Sequence, residues 1–237
     1  MCEYELHREC SNYYRLKFKL EPITNKQSIS NKPITKNQIN IIHSITKILH
    51  NSYYNKDTAT LHFVAGEFNT LPNYLKKKGF QLDEKQSIQM ISDLYKQFSI
   101  LVNDYKCCIY GFDAENIIVV DDTFVFVSSN YILPLQSTNT NSVTLFEPLV
   151  KLPYFSSPEI IQLTTIPATI SINSFYYSLA SLIIYCLTNK YILEGNDIKS
   201  EQEIKEIMNK NIKFGKLIWF LEKCLHLDPN QRKCFLI

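Results

Sequence analysis

The sequence predicts an α+β protein with a small α/β lobe at residues 1–65, followed by a larger, mainly helical lobe at residues 66–237. Two observations predict this order. Short stretches of the first 65 residues have the pattern of strands, with apolar and charged residues in alternation. Beyond residue 70 apolar residues mostly recur every three or four positions, which is typical of amphipathic helices. The break "AGEFNT" at 65–70 separates the two regions and is predicted to be a hinge.

The first region contains two predicted strands and one helix. "YYRLKFKLEPI" (13–23) alternates apolar residues with Arg15, Lys17 and Lys19, so the lysines are expected on the solvent side of a strand. "TATLHFV" (58–64) predicts a second strand. Between them a polar loop is predicted at 24–33, followed by an amphipathic helix at 36–50 that begins with a capping-box pattern.

The second region is expected to be helical around one small hairpin. Residues 130–156, with three prolines, are expected to be irregular. The predicted elements in chain order are a short helix at 71–78, a long helix at 84–105, a hairpin at 116–129 that turns at Asp121-Asp122, a buried helix at 171–190, a helix capped by Ser200 and Glu203, and a last helix carrying Leu217 to Leu225.

Composition excludes several functional classes. The formal net charge of +2 gives no basic face, so nucleic acid is not an expected partner. No stretch approaches the roughly 18 continuous apolar residues of a membrane span, so none is expected. The seven cysteines are irregularly spaced without a CxxC pair, which argues against a disulfide framework and a zinc site. A cytoplasmic or other reducing intracellular compartment is therefore expected.

Four motifs in the second region together resemble the protein kinase family. "GEFNTLPNYLKKKGFQLDEKQ" (66–86) is similar to the hinge and the helix after it, and "FSSPEII" (155–161) to the APE motif. "FYYSLASLIIYCLTNK" (175–190) resembles the central helix, and "FLEKCLHLDPNQR" (220–232) the late L-x-x-D-P-x-x-R stretch. The resemblance covers about 58–237, whereas 1–57 are too few residues for the family's five-stranded sheet. It implies a bilobal fold in which Glu159 and Arg232 form a buried structural ion pair.

The same resemblance implies that the catalytic groups are missing. Aligning "IYGFDAENI" with H-R-D-L-K-P-E-N-I puts Asn116 on a metal-binding Asn but Gly111 on the catalytic Asp. Glycine has no side chain to accept a proton from a substrate hydroxyl. Asp113 is the nearest carboxylate and would be the fallback base. Ser129 falls on the metal-binding Asp of D-F-G, and a neutral hydroxyl is a poor ligand for a hard divalent cation.

The nucleotide-binding groups are reduced as well. The chain has no G-x-G-x-x-G, and helix 36–50 has no acidic residue to pair with a strand lysine. Only Lys17, Lys19 and Asn116 remain as candidate cofactor-binding residues. Phe175 stands where the family has an Asp that braces the catalytic loop.

The resemblance therefore implies a pseudokinase that works by binding a protein, such as a kinase or a kinase substrate, with no catalytic residue, no metal site and no cofactor expected. Two alternatives stay open. One is a weakly active Ser/Thr kinase that uses Asp113 as its base. The other is a sensor that binds ATP, with or without Mg²⁺, but transfers no phosphate.

Overall fold

The computed structural model describes residues 4–10, 12–18, 35–58, 60–135, 141–150 and 152–234. Within them the chain is a mixed α+β protein with seven α-helices and several small antiparallel sheets. The predicted loop at 24–33 and Lys19 lie outside the described residues.

A four-stranded antiparallel sheet and one helix form the N-terminal part. The strands are β1 (Tyr4–Cys10), β2 (Tyr13–Phe18), β3 (Ser52–Asn55) and β4 (Thr60–Val64), in the order β1-β2-β4-β3. Helix α1 (Lys36–Ile48) begins with the predicted capping box of Thr35 and Gln38. Its buried isoleucines join the core beside the sheet.

The predicted break at 65–70 contains a strand and leads into two helices. Strand β5 (Phe68–Thr70) is followed by α2 (Leu71–Lys77) and α3 (Glu84–Tyr105). The prediction of a long helix over 84–105 is confirmed, and a capping box of Asp83 and Gln86 begins it.

Short strands surround the loop that the sequence analysis singled out. They are β6 (Cys107–Ile109), β7 (Gly111–Phe112), β8 (Ile117–Val120) and β9 (Thr123–Phe126). Strands β8 and β9 form the predicted hairpin, and both turn residues, Asp121 and Asp122, have positive φ. Two adjacent residues with positive φ match the type I′ turn, whose twist suits a hairpin. Strand β5 adds to this hairpin, giving the order β5-β8-β9.

The expectation that 130–156 is irregular is wrong in part, because this segment supplies three short strands. They are β10 (Ile132–Pro134), β11 (Ser142–Leu145) and β12 (Phe155–Ser156), which pair with β6, β13 (Ala168–Ser171) and β7. A single turn of helix, α4 (Pro158–Ile161), follows β12.

The C-terminal part packs around one buried helix. Helix α5 (Ser174–Thr188) is buried at nearly every position, as its apolar sequence predicts. The elements after it are β14 (Leu193–Glu194), β15 (Asp197–Ile198), α6 (Glu201–Asn211) and α7 (Gly215–Cys224). Ser200 and Glu203 form the predicted capping box of α6. Among the described residues, none of the helices combines the length and apolar character that crossing a membrane requires.

Two polar side chains of α3 fix the hairpin in place. Gln97 is fully buried; its amide oxygen accepts from Phe126 N at 2.9 Å and its amide nitrogen donates to Phe126 O at 2.8 Å. Asp93 accepts from Phe124 N at 3.0 Å. The side chains thus replace the neighbour that edge strand β9 lacks, and they satisfy its buried backbone groups.

Candidate functional site

The candidate site is the loop of residues 109–118, which β7 ties to the segment after residue 152. In the β7–β12 pair Gly111 lies opposite Ser156, and Phe112 lies opposite Phe155. A 3-10 turn over Ala114–Asn116 then leads into β8. The loop is held by backbone pairing on one side and by the hairpin on the other.

Gly111 lies where neighbouring groups already occupy the space of a side chain. A Cβ atom added there would lie 2.9 Å from Leu152 Cδ1 and 3.3 Å from the carbonyl oxygen of Phe155. Real Cβ contacts are rarely this short, so a larger residue would force Leu152 to move and would press on the β12 backbone. The position therefore accommodates a larger side chain only if its neighbours shift.

The Asp113 side chain stabilises the 3-10 turn that follows it. Its Oδ1 accepts from Glu115 N at 3.1 Å, and its Oδ2 accepts from Asn116 Nδ2 at 3.4 Å. Asp113 therefore caps the 3-10 turn, the common role of Asp at such a position. Both carboxylate oxygens are engaged inside the turn.

Asn116 is buried at the end of that turn. Its backbone carbonyl accepts from Val127 N at 2.9 Å, which joins the turn to the strand end opposite. Within the described part of the chain, Asn116 Oδ1 is buried and has no hydrogen-bond partner. An acceptor of this kind is uncommon inside a protein and has an unmet capacity for one donor or cation.

The loop is braced from α5 by a hydroxyl and by rings. Ser178 Oγ donates to the carbonyl oxygen of Tyr110 at 3.3 Å. Phe175 stacks on Phe98 with ring centroids 3.9 Å apart, and its ring lies 5.6 Å from that of Phe112. Aromatic packing from α5 thus supports the loop.

The remaining residues that the sequence analysis singled out lie on different elements. Ser129 is half-buried, just after β9. Lys17 is exposed, and its β2 neighbours Tyr14 and Leu16 are buried, as the alternation predicts. Lys19 lies outside the described residues, so the structure places only one of the two candidate lysines.

Three aromatic rings fill the space between the four-stranded sheet and β5. Tyr14 stacks on Phe63 at 5.6 Å and on Phe68 at 5.4 Å, and Phe63 lies 5.8 Å from Phe68. We call these three residues the aromatic cluster. In addition, Tyr4 of β1 donates its hydroxyl to the carbonyl oxygen of Glu115 at 3.0 Å. The first strand of the sheet therefore contacts the candidate loop directly.

Glu159 and Arg232 form the ion pair that the sequence predicts. Arg232 Nη1 lies 2.6 Å from Glu159 Oε1, and Nη2 lies 2.8 Å from Oε2. Burial acts to raise the pKa of Glu159, but the hydrogen bonds and charge of Arg232 outweigh it and hold the pKa below its usual value. The pair is therefore ionised at neutral pH.

Neither a scan of protein-family models nor a search of curated proteins finds a match to this chain. Within the described residues, no group of three or more His, Cys, Asp or Glu side chains could hold a metal ion.

Sequence reasoning missed the aromatic cluster and the contact of Tyr4 with the loop. Tyr14 precedes the lysines that drew attention in the same strand, and no local pattern marks it as a residue that meets Phe68. The alternation of β2 and the apolar run of β4 predict that Tyr14 and Phe63 are buried, but not that both contact Phe68.

Proposed function

We propose that the chain has a degenerate protein kinase-like fold with lobes at 1–65 and 66–237, and that it is a pseudokinase that binds another protein rather than transferring phosphate. The order of elements supports this: a sheet with one helix, a short connecting strand, a long helix, a loop with a hairpin, and a buried helix. The ion pair of Glu159 and Arg232 adds to that support. The sheet has four described strands where the family has five.

The observation that carries the proposal is the packing at Gly111. Phosphoryl transfer by a kinase needs a carboxylate there to accept the substrate proton. Here a Cβ atom at this position would already lie 2.9 Å from Leu152 Cδ1 and 3.3 Å from the Phe155 carbonyl oxygen, so a larger side chain requires both neighbours to shift. This tight packing supports a site that works without a carboxylate at position 111.

The aromatic cluster also argues against nucleotide binding. In the proposed fold, the adenine ring would lie between the lobes, next to the connection at 65–70. Tyr14, Phe63 and Phe68 pack on one another beside that connection, which supports a cleft with little room for a base. ATP and Mg²⁺ therefore fit the residues poorly, with Ser129 and Gly111 at two of the positions where the family has carboxylates.

One observation favours a second candidate, the ATP-binding sensor. Asn116 Oδ1 lacks a partner in the described part of the chain, and an amide oxygen is a suitable ligand for Mg²⁺. The weakly active kinase has less support, because both oxygens of Asp113 are engaged in capping its turn.

We place the protein in a reducing intracellular compartment, with a protein partner and no nucleic acid. Four cysteines are buried as free thiols: Cys107, Cys108, Cys186 and Cys224. Burial raises the pKa of Cys108 to about 12, so this thiol is unreactive and suits a core position.

A thermal-shift assay with ATP, with and without Mg²⁺, tests the proposal. The expected result is no shift in Tm under either condition and no phosphate transfer to a generic protein substrate. A shift without Mg²⁺, lost in Asn116→Ala, would replace the proposal with the sensor. A Mg²⁺-dependent shift with phosphate transfer, lost in Asp113→Ala, would replace it with the active kinase.

A further inference from the structure

Two cysteines meet where the segment after α7 folds back onto that helix. Cys224 is the last residue of α7, and its side chain is fully buried. Its Sγ donates to the Lys233 carbonyl oxygen at 3.7 Å, and Lys233 N donates to the Lys223 carbonyl oxygen at 3.4 Å. These contacts hold the backbone next to Cys234 against the C-terminal end of α7.

The thiols of Cys224 and Cys234 interact directly. A side-chain hydrogen bond joins them, and this bond, followed by burial, raises the pKa of Cys224. Cys224 therefore keeps its proton at neutral pH. Cys234 is half-buried, so a small solute has access to the one thiol of the pair that the core does not enclose.

The other cysteines whose side chains the structure describes are arranged differently. Cys107 and Cys108 are both buried and are consecutive in β6, so their side chains point to opposite faces of the strand. Cys186 is fully buried within α5, and burial is the cause that raises its pKa. Among these cysteines, an accessible thiol beside a hydrogen-bonded thiol occurs only in the pair of Cys224 and Cys234.

The segment between the two cysteines is anchored by Arg232. Its Nε donates to the His226 carbonyl oxygen at 2.7 Å, and its Nη2 donates to the Leu227 carbonyl oxygen at 3.2 Å. The same guanidinium binds Glu159 of α4. A covalent bond between the two cysteines would close this segment into a loop, and the segment could then no longer move away from α7.

We propose that Cys224 and Cys234 form a redox-sensitive switch, in which hydrogen peroxide oxidises the two thiols to a disulfide that fastens the segment of Arg232 to α7. In reducing compartments disulfides are rare, and those that occur are mostly transient and redox-sensing or catalytic. The switch is independent of the candidate loop and acts on the stability and the opening of one segment.

The oxidation proceeds in two balanced steps. The Cys234 sulfur attacks one peroxide oxygen, the O–O bond breaks and the other oxygen leaves as water, so Cys234 becomes a sulfenic acid. The Cys224 sulfur then forms the S–S bond and displaces the hydroxyl, which takes the Cys224 proton and leaves as a second water. The two thiols lose two electrons, and hydrogen peroxide gains them. A dithiol reductant reverses the reaction by thiol–disulfide exchange.

Peptide mapping tests whether the bond forms. The full chain is treated with an equimolar amount of hydrogen peroxide, the remaining thiols are alkylated in denaturant, and the chain is cut with trypsin. Cleavage after Lys223, Arg232 and Lys233 places the two cysteines on separate peptides, 224–232 and 234–237, unless a disulfide joins them. We expect the joined peptides to be the main disulfide product and to separate on treatment with dithiothreitol.

The melting temperature tests what the bond does. Closing a loop of this length is expected to raise the Tm by about 5 °C on oxidation, and dithiothreitol is expected to reverse the rise. Cys234→Ser keeps a small polar group at a half-buried position and should lose both the joined peptides and the rise in Tm. Cys186→Ala is the matched control, because it removes a buried cysteine outside the pair, and it should retain both.

The switch is overturned if the joined peptides do not form, or if another pair of cysteines gives the main disulfide. Joined peptides without a rise in Tm would also overturn it, because the bond would then not restrain the segment of Arg232. Each variant is judged by the difference in Tm between its oxidised and reduced forms, which removes the effect of the substitution itself. Cys224→Ala is a second variant that should lose the joined peptides and the rise in Tm, and it keeps the test valid if Cys234→Ser does not fold.

Discussion

Arg232 donates hydrogen bonds to both carboxylate oxygens of Glu159, at N–O distances of 2.6 and 2.8 Å. Glu159 lies 73 positions earlier in the chain. Arg232 Nε also donates to the His226 carbonyl, and Ser174 Oγ donates to Glu159 Oε1. A planar guanidinium suits this arrangement better than an ammonium, because it presents parallel donors to a carboxylate. The pair joins α4, the start of α5 and the segment after α7.

Arg232→Ala is expected to lower the free energy of unfolding by about 3–5 kcal/mol, because it leaves the Glu159 carboxylate, whose side chain is only 22% exposed, without its partner. Urea unfolding followed by circular dichroism measures the change. Lys233→Ala is the control, since this neighbouring lysine is exposed and its side chain has no recorded ion pair among the described residues. A loss for Arg232→Ala no larger than that for Lys233→Ala would contradict the structural role of the pair.

The pH dependence of stability follows from the lowered pKa of Glu159. A carboxyl group whose pKa is lower in the folded state stabilises the protein above its unfolded pKa, here near 4.5, and loses that contribution as the pH falls. The gap in unfolding free energy between the unchanged chain and Glu159→Gln should therefore narrow as the pH falls below that value. Buried Asp93 has a raised pKa, so its effect on stability as the pH falls is opposite to that of Glu159. Both chains contain Asp93, and its effect therefore cancels when their unfolding free energies are compared. A gap that stays constant from neutral to acid pH would contradict the prediction.

Gly111→Ala is expected to destabilise the protein by about 1–3 kcal/mol, the usual cost of overpacking. Gly111→Asp should lower the free energy of unfolding further, because it also buries a carboxylate beside the Phe155 carbonyl. This variant should not transfer phosphate. Gly215→Ala is the matched control: it begins α7 with no atom within 4 Å of its added Cβ. Phosphate transfer by a stable Gly111→Asp chain would show that the space at this position is available after all.

Gln97→Leu is expected to lower the free energy of unfolding by about 1–3 kcal/mol. The new side chain has a similar size, but it leaves the buried backbone N–H and C=O of Phe126 without hydrogen-bond partners. Gln202→Leu on the exposed face of α6 is the control and should change stability little. Chemical denaturation of the two variants gives the comparison. Equal stabilities would mean that water or a shifted strand replaces the Gln97 contacts.

Helices and turns with local signals could be predicted from the sequence. The capping boxes at Thr35 and Ser200 begin their helices as expected, and the hairpin turns at Asp121-Asp122. Each depends on residues within four positions of one another, so the sequence alone contains the information.

Strands that depend on distant partners could not be predicted. Among the side chains of β1 whose burial the structure describes, Tyr4 to Glu9, only Tyr4 is buried and most of the others are exposed polar residues. Strand β3 reads "SYYN" without an apolar alternation. Both exist because β2 and β4 offer them backbone partners. Likewise Asp93 and Gln97 are polar residues whose burial becomes understandable only when β9 lies beside α3.

At the candidate site the resemblance to kinases drew attention to Gly111, and the structure shows which groups pack around it. Gly111 could be aligned with a catalytic Asp, but nothing near it in the chain indicates that Leu152, 41 positions later, fills the space. The ion pair of Glu159 and Arg232 was predictable only because flanking motifs marked both ends.

The connection at 65–70 has a consequence for how the protein can move. Asp121 accepts from Gly66 N at 3.1 Å and from Glu67 N at 2.7 Å, and Asp121 N donates back to the Glu67 carbonyl at 3.0 Å. Gly66 and Glu67 therefore cannot move away from the hairpin turn without breaking these three hydrogen bonds together. The amide protons of Gly66 and Glu67 should then exchange with deuterated solvent far more slowly than those of an open surface loop, and together with each other.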